Sequence, residues 1–468
     1  MAGAGSLSRP MKNASEGVTC LAFRAVQIHG GKKSRCGARW LRDFGEAVLY
    51  STFYDLLRGH AKLNPMLLNP FSVPADASRI AIIGPGRLGT AFAYKFGRDN
   101  KRVIIYYHDV DVCKEINRDH LNPRHLTKDL DRRLGGMDKV PRLSPKVTAT
   151  NNLEQVVEDN DFIFLSVTMD RLPELLNHIR PILERKTTNT CFISAIKGLT
   201  ADDITRQLIT PSQLIRNNYF PIKDRFDVVT LGGPFFDTDI ALGNPVCLTV
   251  AGEKKICQIV RKEFLGSNRR ELTSLYNFDS VGAEVCGALK NIVANVKGAA
   301  DRLELGDSLP GTLFSRSGVE VRSLSRLLGG SFQAFQSQAG VGDMYVTLSS
   351  DASKNHRYGR YFYELFTGNS LETHRKVLER IDGKPEGPNT ILNVHKFLEK
   401  RNMYSPIFHC AYKIFNEERS REEIREQILQ ATQFDRRTRE YIGPTSRLLY
   451  RLFPNLWYRR HRGLLANP

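Results

Sequence analysis

The 468-residue sequence contains no run of 18 or more apolar residues, so it offers no candidate membrane-spanning helix. It has no Cys-x-x-Cys pair, and none of its eight cysteines falls in a Cys/His cluster with zinc spacing. No structural metal is therefore expected. Several cysteines sit inside apolar runs, as buried free thiols do. That usage suits a reducing compartment. No internal repeat is visible.

An evenly basic surface is also missing. The formal net charge is +18, but the excess is concentrated at the ends. Residues 1–45 carry eight Lys/Arg against Glu16 and Asp43, and residues 445–468 carry five Arg and no acid. A nucleic-acid partner would call for a basic stripe on a folded surface, so none is expected. The mildly basic middle suits anionic, phosphate-bearing small ligands.

At 468 residues and 41% hydrophobic content, two or three domains are expected. Residues 1–77 read as a basic extension. Its Arg-rich, acid-poor start fits either an organelle transit peptide or an ordinary disordered tail. The location is thus either the cytoplasm or an organelle such as a mitochondrion, plastid or glycosome. Farther along, Trp40, Phe44, Val48 and Leu49 make one apolar helical face, as a docked helix would. "NPFSVPADAS" (69–78) reads as a linker. At the other end, residues 431–468 form a basic tail, partly amphipathic. It is either solvated, docked, or in weak contact with a membrane surface or partner. The final Ala-Asn-Pro is not a peroxisomal Ser-Lys-Leu signal.

Residues 78–275 alternate between short β-rich runs and helical stretches. "RIAIIG", "RVIIYYH", "KVTAT", "DFIFLSV", "TCFISAI", "DVVTLGG" and "NPVCLTVAG" read as strands. Strand–helix–strand spacing of this kind implies parallel strands and a doubly wound sheet. Gly97 is expected to end the first helix, and Asn151 or Asn152 to cap the one over "NLEQVVEDN". From about 276 to 430 the apolar spacing turns helical, over 281–297, 312–328, 357–366, 390–400 and 407–431. The fold class is α/β: a Rossmann-type dinucleotide-binding domain, then an all-α substrate domain.

Chemistry enters at "IAIIGPGRLGTAFA". Gly84, Gly86 and Gly89 form Gly-x-Gly-x-x-Gly directly after a strand and at the opening of a helix. That context supports a dinucleotide site, with Arg87 and Leu88 in the same loop. Asp109 lies 20 residues past the third glycine, where an acid bonds the ribose hydroxyl and favours NAD. His108 beside it leaves NADP open.

The second feature is "CGALKNIV" (286–293). Plotted at 100° per residue, Val281, Val285, Leu289, Ile292 and Val296 form one apolar face. Ala283, Cys286, Gly287, Lys290 and Ala294 form another, so something approaches closely there. Lys290 is either a snorkelling lysine or a desolvated proton donor.

"CGALKNIVANVKGAADRLELGDS", "AGVGDMYVT", "SKNHRYGRYF" and "GKPEGPNT" resemble, in order and spacing, the soluble NAD-dependent glycerol-3-phosphate dehydrogenase family. "NRDHLNPRHL", "SAIKGL" and "GGPFFDTDIALGNPV" are similar to further segments of that family, and the likeness spans about 78–430. It implies an oxidoreductase of glycerol-3-phosphate metabolism. That enzyme interconverts dihydroxyacetone phosphate and glycerol 3-phosphate with NAD and commonly forms a homodimer.

By the same resemblance Lys290 is the catalytic lysine, Lys197 the second active-site lysine and Asp343 its positioning carboxylate. Gly233, Asn291, Thr347, Ser353, Lys354 and Asn355 fall on substrate positions, together with Lys197. Asp237, Lys354, Lys384, Glu386 and again Lys197 fall on cofactor positions. Five departures stand out. The family's Gly-x-Asn after the lysine helix reads Gly306-Asp307-Ser308 here. Lys354 replaces arginine in the phosphate motif. Phe235 replaces a small hydroxyl residue. Asp237 replaces alanine. Leu88 replaces an aromatic. They leave two competing readings open: a related dehydrogenase for another phosphorylated or hydroxy-acid substrate, and a catalytically weakened NAD-binding scaffold.

Overall fold

A computed structural model describes residues 77–433 apart from 202–206, 219–224, 267–269, 332 and 382. The expected docked helix around Trp40, the transit segment and the basic C-terminal tail lie outside the described residues.

The chain opens with strand β1 (Arg79–Ile83), helix α1 (Arg87–Arg98), β2 (Arg102–Tyr106), α2 (Val110–Asp119), α3 (Thr127–Leu134) and β3 (Val147–Thr150). Next come α4 (Leu153–Glu158), β4 (Phe162–Leu165), α5 (Leu172–Arg185) and β5 (Thr190–Ser194). A small hairpin, β6 (Thr200–Ala201) with β7 (Leu208–Ile209), precedes α6 (Pro211–Asn218), β8 (Phe226–Gly232) and α7 (Asp237–Leu242). The last strands are β9 (Val246–Ala251) and, after α8 (Lys254–Glu263), β10 (Leu272–Asn277).

Eight strands form one sheet in the order β10-β9-β8-β5-β4-β1-β2-β3. Strand order reverses beside β1, whose neighbours are β2 and β4. In such sheets the crevice outside the carboxyl ends at the reversal is where ligands bind. Alternation along the strands divides the core between the two faces. Ile80, Ile82, Phe162 and Phe164 join one apolar cluster, while Ala81, Ile83, Ile163 and Leu165 join the other. Both faces are covered, which is why these strands read as continuous apolar runs.

The all-parallel expectation fails at one joint. β9 runs antiparallel to β8, while β10 is parallel to β9. The six-residue α7 ends at Gly243, whose φ of 73° turns the chain back. So short an element does not complete the crossover that a parallel return requires. Gly97 does not end α1 either. It lies inside the helix, where a Cβ would come within 2.9 Å of the Ser144 and Val147 side chains.

The remainder is helical: α9 (Ser280–Ala300), α10 (Leu309–Leu327), α11 (Asp343–Ser349), α12 (Lys354–Leu365), α13 (Ser370–Arg380), α14 (Gly387–Lys400), α15 (Pro406–Asn416) and α16 (Arg421–Thr432). α9 is buried on almost every side and forms the axis of a third apolar core. Its two expected faces are therefore both interior. Helices apolar all round are buried ones. The small-residue side meets the sheet, where Ala283 packs with Ala251 and Ala339. Asp279 starts this helix: its Oδ1 accepts from Gly282 N–H at 2.7 Å, the usual N-cap arrangement.

Candidate active site

The glycine loop leaves β1 at the reversal point. Gly84 has φ 92°, a left-handed conformation that L side chains rarely adopt. A Cβ on Gly89 would lie 2.4 Å from the Gly84 carbonyl oxygen and 2.7 Å from Ser166 Oγ, so that glycine admits the α1–β1 approach. A Cβ on Gly86 would meet nothing within 4 Å. The loop is thus packed beneath and open above, with Gly86 as the N-cap of α1. That cradle fits a dinucleotide pyrophosphate, which the N–H groups and dipole of a helix N-terminus favour.

Two residues not singled out from sequence brace the loop. Ser166 Oγ donates to Gly84 O at 2.7 Å, and Asn122 Nδ2 donates to Pro85 O at 3.1 Å and Thr90 Oγ1 at 2.8 Å. Asn122 precedes a proline, a turn signal that could have drawn attention to it. Leu88 packs partly buried against the neighbouring core.

Asp109 caps α2, accepting from Asp111 and Val112 N–H at 3.0 and 3.3 Å. The Val112 N–H, above all, holds its carboxyl below the usual range. Its Oδ2 faces Arg124 at 3.5 Å, and the exposed His108 stacks on Tyr107. Asp109 is therefore flanked by a guanidinium and an imidazole.

Lys290 lies at the middle of α9 with 6% of its surface exposed, so it does not snorkel. Its Nζ donates to Asp343 Oδ1 at 2.5 Å and also to Thr347 Oγ1. Thr347 in turn donates to the Asp343 carbonyl at 2.6 Å. Lys197, three residues past the carboxyl end of β5, donates to the other oxygen, Asp343 Oδ2, at 2.9 Å. One buried carboxylate thus holds both lysines. A single π-helical turn over Gln338–Gly342 delivers Asp343 to this point as the first residue of α11. Such turns often occur at functional sites.

Burial pushes Lys290 down, Asp343 pulls it back up and Lys197 pushes it down again, leaving it lowered to about 8. The Lys197 Nζ also lies 5.0 Å from the centre of the Phe235 ring, a cation–π distance. Phe235 therefore puts an aromatic face where the resembled family has a hydroxyl.

Asn291, buried beside Lys290, donates to Glu386 Oε2 at 3.1 Å. Burial pushes the Glu386 carboxyl up, against the opposing pull of Lys197, Lys290 and Lys354. Ser353 caps α12 by accepting from His356 N–H, and Asn355 Oδ1 accepts from Gly387 N–H at 2.9 Å. Lys354 begins α12, and its Nζ lies 2.5 Å from where a Cβ on Gly383 would sit. The 383–386 loop thereby joins the lysines. Lys384, in contrast, makes an exposed ion pair with Asp170 at 2.9 Å. Gly233 abuts the Leu248 backbone of β9. Arg87 and Asp237 contact each other directly, with Nε–Oδ2 at 2.6 Å.

Residues 79–257 match the family model for the N-terminus of NAD-dependent glycerol-3-phosphate dehydrogenase, and residues 279–426 match that for its C-terminus. The chain is 29% identical over 339 residues to glycerol-3-phosphate dehydrogenase (NAD(P)+) of Bacillus licheniformis, covering 72% of this chain and 90% of that protein. It is also 29% identical over 366 residues to the protein of the same name from Treponema denticola, covering 75% and 98%. In fold it is similar to glycerol-3-phosphate dehydrogenase from Coxiella burnetii, with a TM-score of 0.64, 22% identity and coverage of 75% and 98%. The yeast enzyme of that name gives a TM-score of 0.61 at 20% identity, covering 75% and 99%.

Proposed function

The chain belongs to the NAD-dependent glycerol-3-phosphate dehydrogenase family, and on that premise we propose that it interconverts dihydroxyacetone phosphate and sn-glycerol 3-phosphate. The observation that carries this reading is the single buried carboxylate of Asp343 holding Lys290 and Lys197 at 2.5 and 2.9 Å. The nicotinamide, when bound, supplies a hydride to the carbonyl carbon or takes one from the alcohol carbon. The glycine loop and Asp109 hold the dinucleotide.

Reduction builds negative charge on the carbonyl oxygen. Lys290, as an ammonium, donates its proton to that oxygen. Lys197 adds a second positive charge from the sheet side, and preorganised charge of this kind stabilises a developing alkoxide. Two ammonium groups so close repel each other, and Asp343 offsets that repulsion while fixing both. In the reverse direction Lys290, as a neutral amine, takes the hydroxyl proton. Asn291 and Thr347 orient the substrate hydroxyls. Lys354 attracts the phosphate as a point charge without the bidentate fork of an arginine.

The test is initial rates of NADH and NADPH oxidation on adding dihydroxyacetone phosphate, in wild type and Lys290→Ala. Removing a positioned general acid is expected to lower kcat by roughly 10²–10⁴-fold. Equal rates in the two proteins would sink the assignment of Lys290. A wild type that binds NADH but turns over no triose phosphate would sink the activity.

A further inference from the structure

Asp237 stands where the resembled family has alanine, and in this structure it occupies Arg87. Its Oδ2 and Oδ1 accept from Arg87 Nε and Nη2 at 2.6 and 2.9 Å. The remaining nitrogen, Nη1, donates to Asp129. Arg87 is the first residue of α1, next to the open Gly86. Its three guanidinium nitrogens are therefore all turned onto carboxylates, one from α7 and one from α3.

The pairs are about four-fifths buried: side-chain exposures are 22% for Arg87, 21% for Asp129 and 18% for Asp237. Solvent screens them less than it would a surface pair. Other charges nearby do not free the fork. Lys354 and Arg132 act on Asp129 from a longer range. Arg133 is taken by Asp239 at 3.0 Å and donates to Thr238. A planar guanidinium suits bidentate phosphate binding, yet here the fork beside the phosphate loop faces two carboxylates.

We propose that Asp129 and Asp237 compete with the dinucleotide phosphates for Arg87, so that the pyrophosphate binds by displacing a carboxylate from it. The proposal rests on the dinucleotide reading of the glycine loop. It makes the two acids affinity-setting residues. The helix N-terminus draws the diphosphate in, the carboxylates oppose it by like charge, and Arg87 passes from one partner to the other. A purely structural role predicts the opposite. Ion pairs that only fasten α3 and α7 to α1 would, once neutralised, loosen the loop and weaken binding.

The experiment is fluorescence titration of the full chain with NADH, for wild type, Asp237→Asn and Asp129→Asn. The two substitutions lie on different elements and keep the side-chain shape, and circular dichroism checks their fold. Adenosine, which has no phosphate, serves as a competitor. Each variant is expected to lower the Kd for NADH by roughly three- to tenfold, the size of one partly screened charge interaction. The Kd for adenosine should stay unchanged. A Kd for NADH that is unchanged or raised in either folded variant overturns the proposal. So does tightening that extends equally to adenosine. If neither the wild type nor the variants bind NADH, the dinucleotide reading itself fails and this proposal fails with it.

Discussion

Lys290 carries a proton whose affinity is set by burial and by charged neighbours acting in different directions. Burial lowers it, Asp343 raises it, Lys197 lowers it, and the result is about 8. Carbonyl reduction needs the ammonium form, so its kcat should be level at lower pH and fall as pH rises through about 8. Alcohol oxidation needs the amine and should rise across the same window. Asp343→Asn removes the charge that holds the proton while burial and Lys197 remain. Both limbs should then move to lower pH, and kcat should fall in both directions. pH–rate profiles of wild type and variant in each direction check this, and an unmoved limb in the variant would count against it. The glycine loop was legible from its spacing, but the grouping of Lys290, Lys197 and Asp343 was legible only through resemblance. Lys290 and Asp343 are 53 residues apart and Lys197 and Asp343 are 146 apart. No local pattern joins them, so periodicity left the lysine ambiguous between solvent and site. Asp129 gave no sign at all, because it gains its meaning from Arg87 on another helix.

Between elements, the tightest fit is the crossing of α9 and α12. A Cβ on Gly298 would lie 2.0 Å from the His356 carbonyl oxygen, and one on Gly359 would lie 1.8 Å from that of Asn295. The two helices touch backbone to backbone, and that contact sets Ser353–Asn355 against the Lys290–Asn291 turn. Gly298→Ala must push the helices apart, at a cost of about 1–3 kcal/mol or more for overpacking. The denaturant midpoint should fall, and KM for the phosphorylated substrate should rise as the start of α12 shifts. Gly287→Ala is the contrast. Its Cβ would lie 3.9 Å from Asp343 Oδ2 and Lys197 Cγ, an ordinary contact, so the midpoint should hardly move. Equal destabilisation by the two changes would refute the backbone-contact account. Long apolar periodicity was readable here: a helix expected over 281–297 occurs as Ser280–Ala300. The stretch expected as one helix over 407–431 is two, because Ser420 and Glu423 form a capping box that starts α16. The Ser-x-x-Glu spacing was there to be read. β10 was missed because it is an edge strand with alternate residues exposed, so its apolar content is low.

Across the whole described body, the sheet and the helices are fastened by polar bonds as well as apolar contact. Glu284 of α9 accepts from Ser212 N–H and Oγ at 3.0 and 2.6 Å and from Thr230 Oγ1 at 3.0 Å. Thr249 of β9 accepts from Ala339 N–H, and Asn393 of α14 donates to Leu199 O. The Lys197–Asp343 pair spans the same boundary inside the active site. Neither half can open without exchanging these bonds for water, at a net cost of about 0.5–1.5 kcal/mol for each. Multidomain chains often unfold in steps, but here the joint argues for one step. Calorimetry of the full chain should show a single transition over the sheet and the helices together. NADH contacts chiefly the sheet side in the proposed complex. A ligand bound only to the native state stabilises all that unfolds with its site, by RT ln(1 + [L]/Kd), or about 2.7 kcal/mol at a hundredfold excess over Kd. The whole peak should therefore move upward with NADH. Two peaks, of which NADH moves only one, would show that sheet and helices unfold separately. The shared carboxylate of Asp343 would then be a contact made after folding and not one that couples the halves.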